Sequence, residues 1–156
     1  MKSNDKALIG IVAGIILLVI IAFVVTLTRS PTTYQADDTP EGVAHNYLLA
    51  LTQEEFDRAY AYLSPSIAGY PESLEDFEDV VRIYDWRFPL DASIAVLSSE
   101  IDGDWATVHA RETRFNGGVL FNNHQSIHLF HIYLKWEDGN WKIYDGSRFF
   151  ARCWKD

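Results

Sequence analysis

Three histidines, His124, His128 and His131, fall within eight residues of one another. Imidazole is a common metal ligand and the side chain that most readily changes charge near neutrality. On a helix the three would share a face. The run Ser126-Ile127-His128-Leu129-Phe130-His131-Ile132-Tyr133-Leu134 instead has the apolar and β-branched content of a buried strand. Strand side chains alternate, so His124 and His128 lie on one side and His131 on the other, and three ligands cannot converge without a bulge. Structural or pocket-lining histidines are expected, with no metal and no cofactor. A carboxylate pair for acid–base work is equally unsupported. Asp76, Glu78 and Asp79 fall on the solvated side of a helix, and Asp102, Asp104, Glu137 and Asp138 fall in turns, where acids serve geometry. No Gly-rich phosphate loop, nucleophile elbow or zinc signature occurs.

The elements that would position these groups divide into helices first and strands after. Thr39-Pro40-Glu41 is an N-cap, a proline at the first helical position and an acid in the first turn, ahead of Val43, Tyr47, Leu48 and Leu51 at helical spacing. Thr52-Gln53-Glu54-Glu55 predicts a capping box for a second helix with Phe56, Ala59, Tyr60 and Leu63 on its apolar stripe. Ser73-Leu74-Glu75-Asp76 opens a third, carrying Phe77, Val80, Val81 and Tyr84 and stopping before Pro89. From Ala92 the period changes. Strands are predicted over Ser93 to Ile101, Trp105 to Phe115, within Leu120 to Trp136, and from Trp141 to Asp145, separated by Asp102-Gly103-Asp104, Asn116-Gly117-Gly118 and Glu137-Asp138-Gly139-Asn140. The last loop sets Trp136 opposite Trp141 as a register-fixing pair. Helices followed by an antiparallel meander give an α+β fold with helices on one sheet face.

Ahead of this domain, Ala7 to Leu27 forms 21 consecutive residues without a charge or proline, between Lys6 and Arg29. As a helix it reaches ~31 Å, close to the ~30 Å hydrocarbon core of a bilayer. The run exceeds a signal-peptide apolar region and no small-residue cleavage site follows it, so an uncleaved single-pass transmembrane helix is expected. Lys2, Lys6 and the amino terminus outweigh Arg29, which places the N-terminus in the cytoplasm and the C-terminal domain outside it, at the cell membrane. Gly10 and Gly14 form a G-x-x-x-G pair through which two helices can approach. The expected organisation is a short cytoplasmic N-terminus at 1–6, the span at 7–27, a polar linker at 28–38 and one domain at 39–156.

From Ser30 onward the chain carries 10 basic and 21 acidic residues. Such a surface is a poor partner for nucleic acid, whose binding needs clustered Lys and Arg. With a single cysteine, Cys153, no internal disulfide is possible.

The two-helix opening from Gly42 to Leu63, the third helix, and the closing stretch Trp136-Glu137-Asp138-Gly139-Asn140-Trp141-Lys142-Ile143-Tyr144-Asp145 resemble the nuclear-transport-factor-2-like superfamily, which includes ketosteroid isomerase-like and polyketide cyclase-like proteins. The resemblance covers roughly residues 39 to 150. It implies a cone-like domain of about three helices on a curved, four-stranded, mainly antiparallel sheet. The cone's pocket serves catalysis in some members and only binding or dimer contacts in others. Candidate pocket residues by type are Tyr47, Tyr60, Asp57, His109, Arg111 and His128. Alternation along the second strand puts Ala106, Val108 and Ala110 against the helices and Thr107, His109, Arg111 and Thr113 outward, which weakens the case for an enzyme.

At the C-terminus, Arg148, Arg152 and Lys155 stand beside Phe149, Phe150 and Trp154. The segment is either a strand extension that packs a phenylalanine inward or a docking tail, since aromatic and Arg residues dominate interface hot spots. The expectation is therefore a membrane-anchored, non-catalytic, extracytoplasmic binding domain. It would act as an accessory or scaffolding subunit of a membrane protein complex, with another membrane protein or a second copy as partner. The alternatives are a small apolar ligand-binding protein, or a lyase or isomerase using the cone.

Overall fold

The computed structural model describes residues 10–21, 33–84, 88, 92–116 and 124–150. The chain divides into two compact units, Met1–Thr32 and Thr33–Asp156.

In the first unit, residues 10–21 form a helix, α1. Its Ile, Leu and Val side chains are exposed, and a Cβ added at Gly10 or Gly14 would meet open space. The span expected over Ala7–Leu27 runs past the described residues at both ends. Among the described residues, no helix is long and apolar enough to cross a membrane.

The second unit holds α2 (Pro40–Thr52), α3 (Phe56–Ala61), α4 (Leu74–Ile83), β1 (Ser93–Asp102), β2 (Trp105–Asn116), β3 (His124–Glu137) and β4 (Asn140–Gly146). The strands form one antiparallel sheet in the order β1-β2-β3-β4, so the expected α+β meander is what the chain adopts. Two helix starts work as the sequence predicts: the Thr39 hydroxyl accepts from Gly42 N, and the Ser73 hydroxyl from Asp76 N. The capping box at Thr52 does not form. Thr52 closes α2 by donating to Leu49 O, Glu54 reverses the chain at φ 57°, and α3 starts at Glu55 with no side-chain cap.

The helices cover the sheet face that carries Ala106, Val108 and Ala110 of β2, Phe130, Ile132 and Leu134 of β3, and Trp141 and Ile143 of β4. Val43, Tyr47 and Leu51 from α2 and Phe77 and Val81 from α4 complete this core. Each Val, Leu, Ile or Phe among them, fully buried, stabilises the fold by about 1.5–3 kcal/mol before chain entropy is counted. Asp138 (φ 50°) and Gly139 (φ 82°) are both left-handed, the geometry of the two-residue hairpin turn that matches strand twist. The turn holds Trp136 against Trp141 at 5.2 Å, edge to face. Register shifts between Val96 and Ser98 in β1 and between Tyr133 and Leu134 in β3 mark bulges, the device that bends a sheet. The outer edge of β4 is covered by the chain after α3: Ser64 N donates to Ile143 O and Ile143 N to Tyr62 O.

Thr33–Asp38, within the expected linker, is fastened to α2. Asn46 is fully buried; its Oδ1 accepts from Gln35 N, and its Nδ2 donates to Gln35 O and to Asp37. The Tyr34 hydroxyl donates to Glu55, and the Arg58 guanidinium stacks on the Tyr34 ring. Burial, reinforced by the neighbouring Glu55 carboxylate, pushes the Tyr34 phenol up to about 12. A glycine is required at 42, because a Cβ there would collide with the Ala36 carbonyl.

Candidate functional site

The alternation that buries Ala106, Val108 and Ala110 continues two residues further and buries a charge. Glu112 is 0% exposed. Its Oε1 accepts from Arg114 Nε at 2.5 Å, and its Oε2 lies 2.5 Å from Arg148 Nε, an ion pair by distance whose N–H points off the line of a hydrogen bond. Arg114 is the next inward position of β2. Arg148 follows β4 in a segment that turns back over the core. Phe149 takes φ 55°, its ring packs 5.3 Å from Phe130, and its carbonyl accepts from the buried Tyr47 hydroxyl. His128 is paired with Glu112 across β2 and β3, on the same side of the sheet, and is exposed.

The candidate residues do not converge. Tyr47 is a core residue, and burial raises its phenol well above the ordinary range. Tyr60 stacks on Tyr70 and donates to Pro71 O, while Asp57 is exposed on α3. His109 and Arg111 point away from the helices, as the alternation predicts. His109 meets His131 edge to face at 4.7 Å, with Glu100 at 3.6 Å from its Nε2. The side chain of His124 lies outside the described residues, and among the described residues no group of three or more His, Cys, Asp or Glu is placed to hold a metal ion. Phe149 and Phe150, candidates for docking, are corrected to core positions: both are buried, so neither ring is available to a partner. Trp154 lies outside the described residues.

Two further surfaces stand out. On the outer sheet face Ile127, Leu129 and Tyr133 of β3 are exposed at 56%, 71% and 39%. Arg111 lies opposite Leu129, and the Lys135 ammonium sits 5.7 Å from the ring centroid of Trp105. Beside α3, an open cleft of about 310 Å³ is lined by Asp37, Arg58, Tyr62, Asn140, Trp141 and Lys142 among others.

At the far end of β3, Glu137 accepts from the Ser64 and Ser66 hydroxyls at 2.6 Å each and pairs with Lys135 at 3.0 Å. Burial pushes this carboxyl up, but the two serine hydrogen bonds and Lys135 outweigh it and hold the group below its ordinary value.

No family model and no curated protein matches this chain. Solved structures do. A candidate ketosteroid isomerase from Shewanella frigidimarina matches at TM-score 0.51 and 19% identity, covering 71% of this chain and 95% of its own. A SEC-C motif containing protein from Rhodopseudomonas palustris matches at TM-score 0.50 and 18% identity, covering 74% and 83%. At these identities the likeness is one of fold alone, helices packed on a four-stranded antiparallel sheet.

Proposed function

We propose that this domain works by binding another protein rather than by catalysis, as a membrane-tethered accessory subunit whose contact surface is the outer face of the sheet. The observation that carries the reading is the exposed row Ile127, Leu129 and Tyr133 beside Trp105, interleaved with Arg111 and Lys135. Exposed apolar groups with aromatic and Arg neighbours are the composition of interface centres. The inner side offers less. Tyr47, Phe130, Phe149 and Phe150 fill the core there, and the buried Glu112 carboxylate is committed to two arginines, so it is poorly placed to act as a base. The apolar run from Ala7 to Leu27 supports the tether and, through positive-inside bias, an extracytoplasmic domain.

The test is purification of the full chain in mild detergent, with the mass of the assembly measured by light scattering. The expected result is a complex, with a second copy or another membrane protein, that Leu129→Glu dissociates while the variant stays folded. Recovery of the unaltered chain as a lone monomer with nothing bound would sink the reading.

A second reading, ligand binding or lyase/isomerase chemistry in the cone, has the register pairing of Glu112 with His128 in its favour. It requires the segment at Phe149 to leave the core. Saturable one-site binding of an apolar fluorescent probe to the folded chain, abolished by His128→Ala, would favour it over the first.

A further inference from the structure

Partner binding through the outer face leaves Glu112, Arg114 and Arg148 unused, and their charges do not balance. A carboxylate removed from water needs about one opposite charge near it. Glu112 has two. The side chains of Arg114 and Arg148 remain 33% and 27% exposed while that of Glu112 is 0% exposed, so the surplus positive charge lies at the solvent edge of the set. Among the described residues neither guanidinium has a second carboxylate within ion-pair distance.

The pairing geometry matters as much as the count. Arginine holds a carboxylate most strongly through two parallel N–H groups. Here each guanidinium approaches through Nε, one to each oxygen, and among the described residues the terminal nitrogens of both arginines make no hydrogen bond. Two guanidinium groups would normally repel each other; Glu112 holds both on one carboxylate, Arg114 through a hydrogen bond and Arg148 through charge. His128, opposite Glu112 in the register and exposed, adds a further donor position at the same strand level. This is a pre-ordered set of N–H groups with an excess positive charge, within a strongly acidic domain.

We propose that the terminal nitrogens of Arg114 and Arg148 form a binding site for a small oxyanion, a carboxylate or a phosphate group, with Glu112 as the positioning residue beneath them. The overall acidity of the domain selects for a small, singly or doubly charged anion over a polyanion, since field repulsion grows with ligand charge. Ordering is largely paid in advance, because Glu112 already restrains both side chains.

Inorganic phosphate and, separately, acetate are titrated into the full chain in mild detergent at neutral pH, with sodium chloride adjusted to keep ionic strength constant. The thermal midpoint is followed, together with the arginine side-chain NMR signals. The expected result is a saturable rise in midpoint beyond matched chloride for at least one anion, with the Arg Nε signals of two residues shifting together. Comparison of the two probes separates a phosphate site from a carboxylate site. Arg114→Gln should weaken binding by about tenfold, the loss of a hydrogen bond to a charged group. Glu112→Gln, if folded, keeps an acceptor oxygen beneath Arg114 while removing the competing negative charge, and should tighten binding. If that variant does not fold, Arg114→Lys decides: it keeps the charge, loses the fork, and should weaken binding. No saturable response beyond chloride, or an identical response in Arg114→Gln or Arg114→Lys, overturns the proposal. Leu129→Glu should leave the anion response unchanged, which separates this site from the outer face.

Discussion

Glu112 and Glu137 are both carboxylates drawn out of water on the central strands, and they are held in opposite ways. Glu137 is met by two neutral hydroxyls, Ser64 and Ser66, and one ammonium, Lys135. Its surroundings are electrically balanced. Glu112 is met only by charge, from Arg114 and Arg148. Hydroxyls lower the free energy of a buried carboxylate without importing a second ion to be desolvated, whereas each arginine brings its own desolvation cost. The Glu137 end therefore reads as a structural clasp between the Tyr62–Ser66 segment and β3. The Glu112 end is over-supplied with cations, which is why it carries the oxyanion proposal.

The difference can be broken most sharply at Glu112 itself. Glu112→Leu leaves two partly buried guanidinium groups without a counter-charge and should destabilise the domain by about 3–5 kcal/mol, measured by urea unfolding. Tyr47→Phe comes next. It strands the buried Phe149 carbonyl in the segment that carries Arg148, and should cost about 1–3 kcal/mol in the same measurement. At the other end, Ser64→Ala removes one neutral donor and should cost about 1 kcal/mol. That loss should depend on pH. Glu137 has a folded-state value below its ordinary one, so its contribution is complete above the unfolded value and is lost as the pH falls through the lower, folded value. Unfolding curves of the Ser64→Ala variant and the natural chain should therefore draw closer in acid, leaving the part that comes from Ser66 N donating to Ser64 Oγ. Lys135→Met is the mildest change, within about 1 kcal/mol because the ion pair is one-third exposed on its lysine side, and raised salt should shrink the effect further.

Much of the fold was legible because its signals are local. Thr39-Pro40 and Ser73 announce helix starts, Asp138-Gly139 a tight hairpin, and Trp136 with Trp141 its register. The Thr52 box failed because its threonine was still needed inside α2, where continued helix competes with a new cap. Glu112 was within reach: two more steps of the alternation through Ala106, Val108 and Ala110 place both Glu112 and Arg114 inside. Its second partner was not, since Arg148 lies on a segment with no period, and only the fold brings it to β2. Inward packing of Phe149 and Phe150 is one of two readings of the sequence, and it could not be chosen there because it depends on a left-handed turn at a residue type that rarely adopts one.

The segment Thr33–Asp38 has a mechanical consequence. Asn46 offers Gln35 an amide that both accepts and donates, so one side chain imitates a neighbouring strand. Tension applied to the chain ahead of Thr33 would reach Tyr34, Gln35 and Asp37 in turn before it reached the first residue of α2. Those contacts would peel one after another, each at modest force, while the sheet, whose strands must slide or part together, held. Under the proposed N-terminal tether this segment would be a sacrificial fastening, and Asn46→Ala in a single-molecule pulling experiment should remove the first small step and leave the main rupture in place.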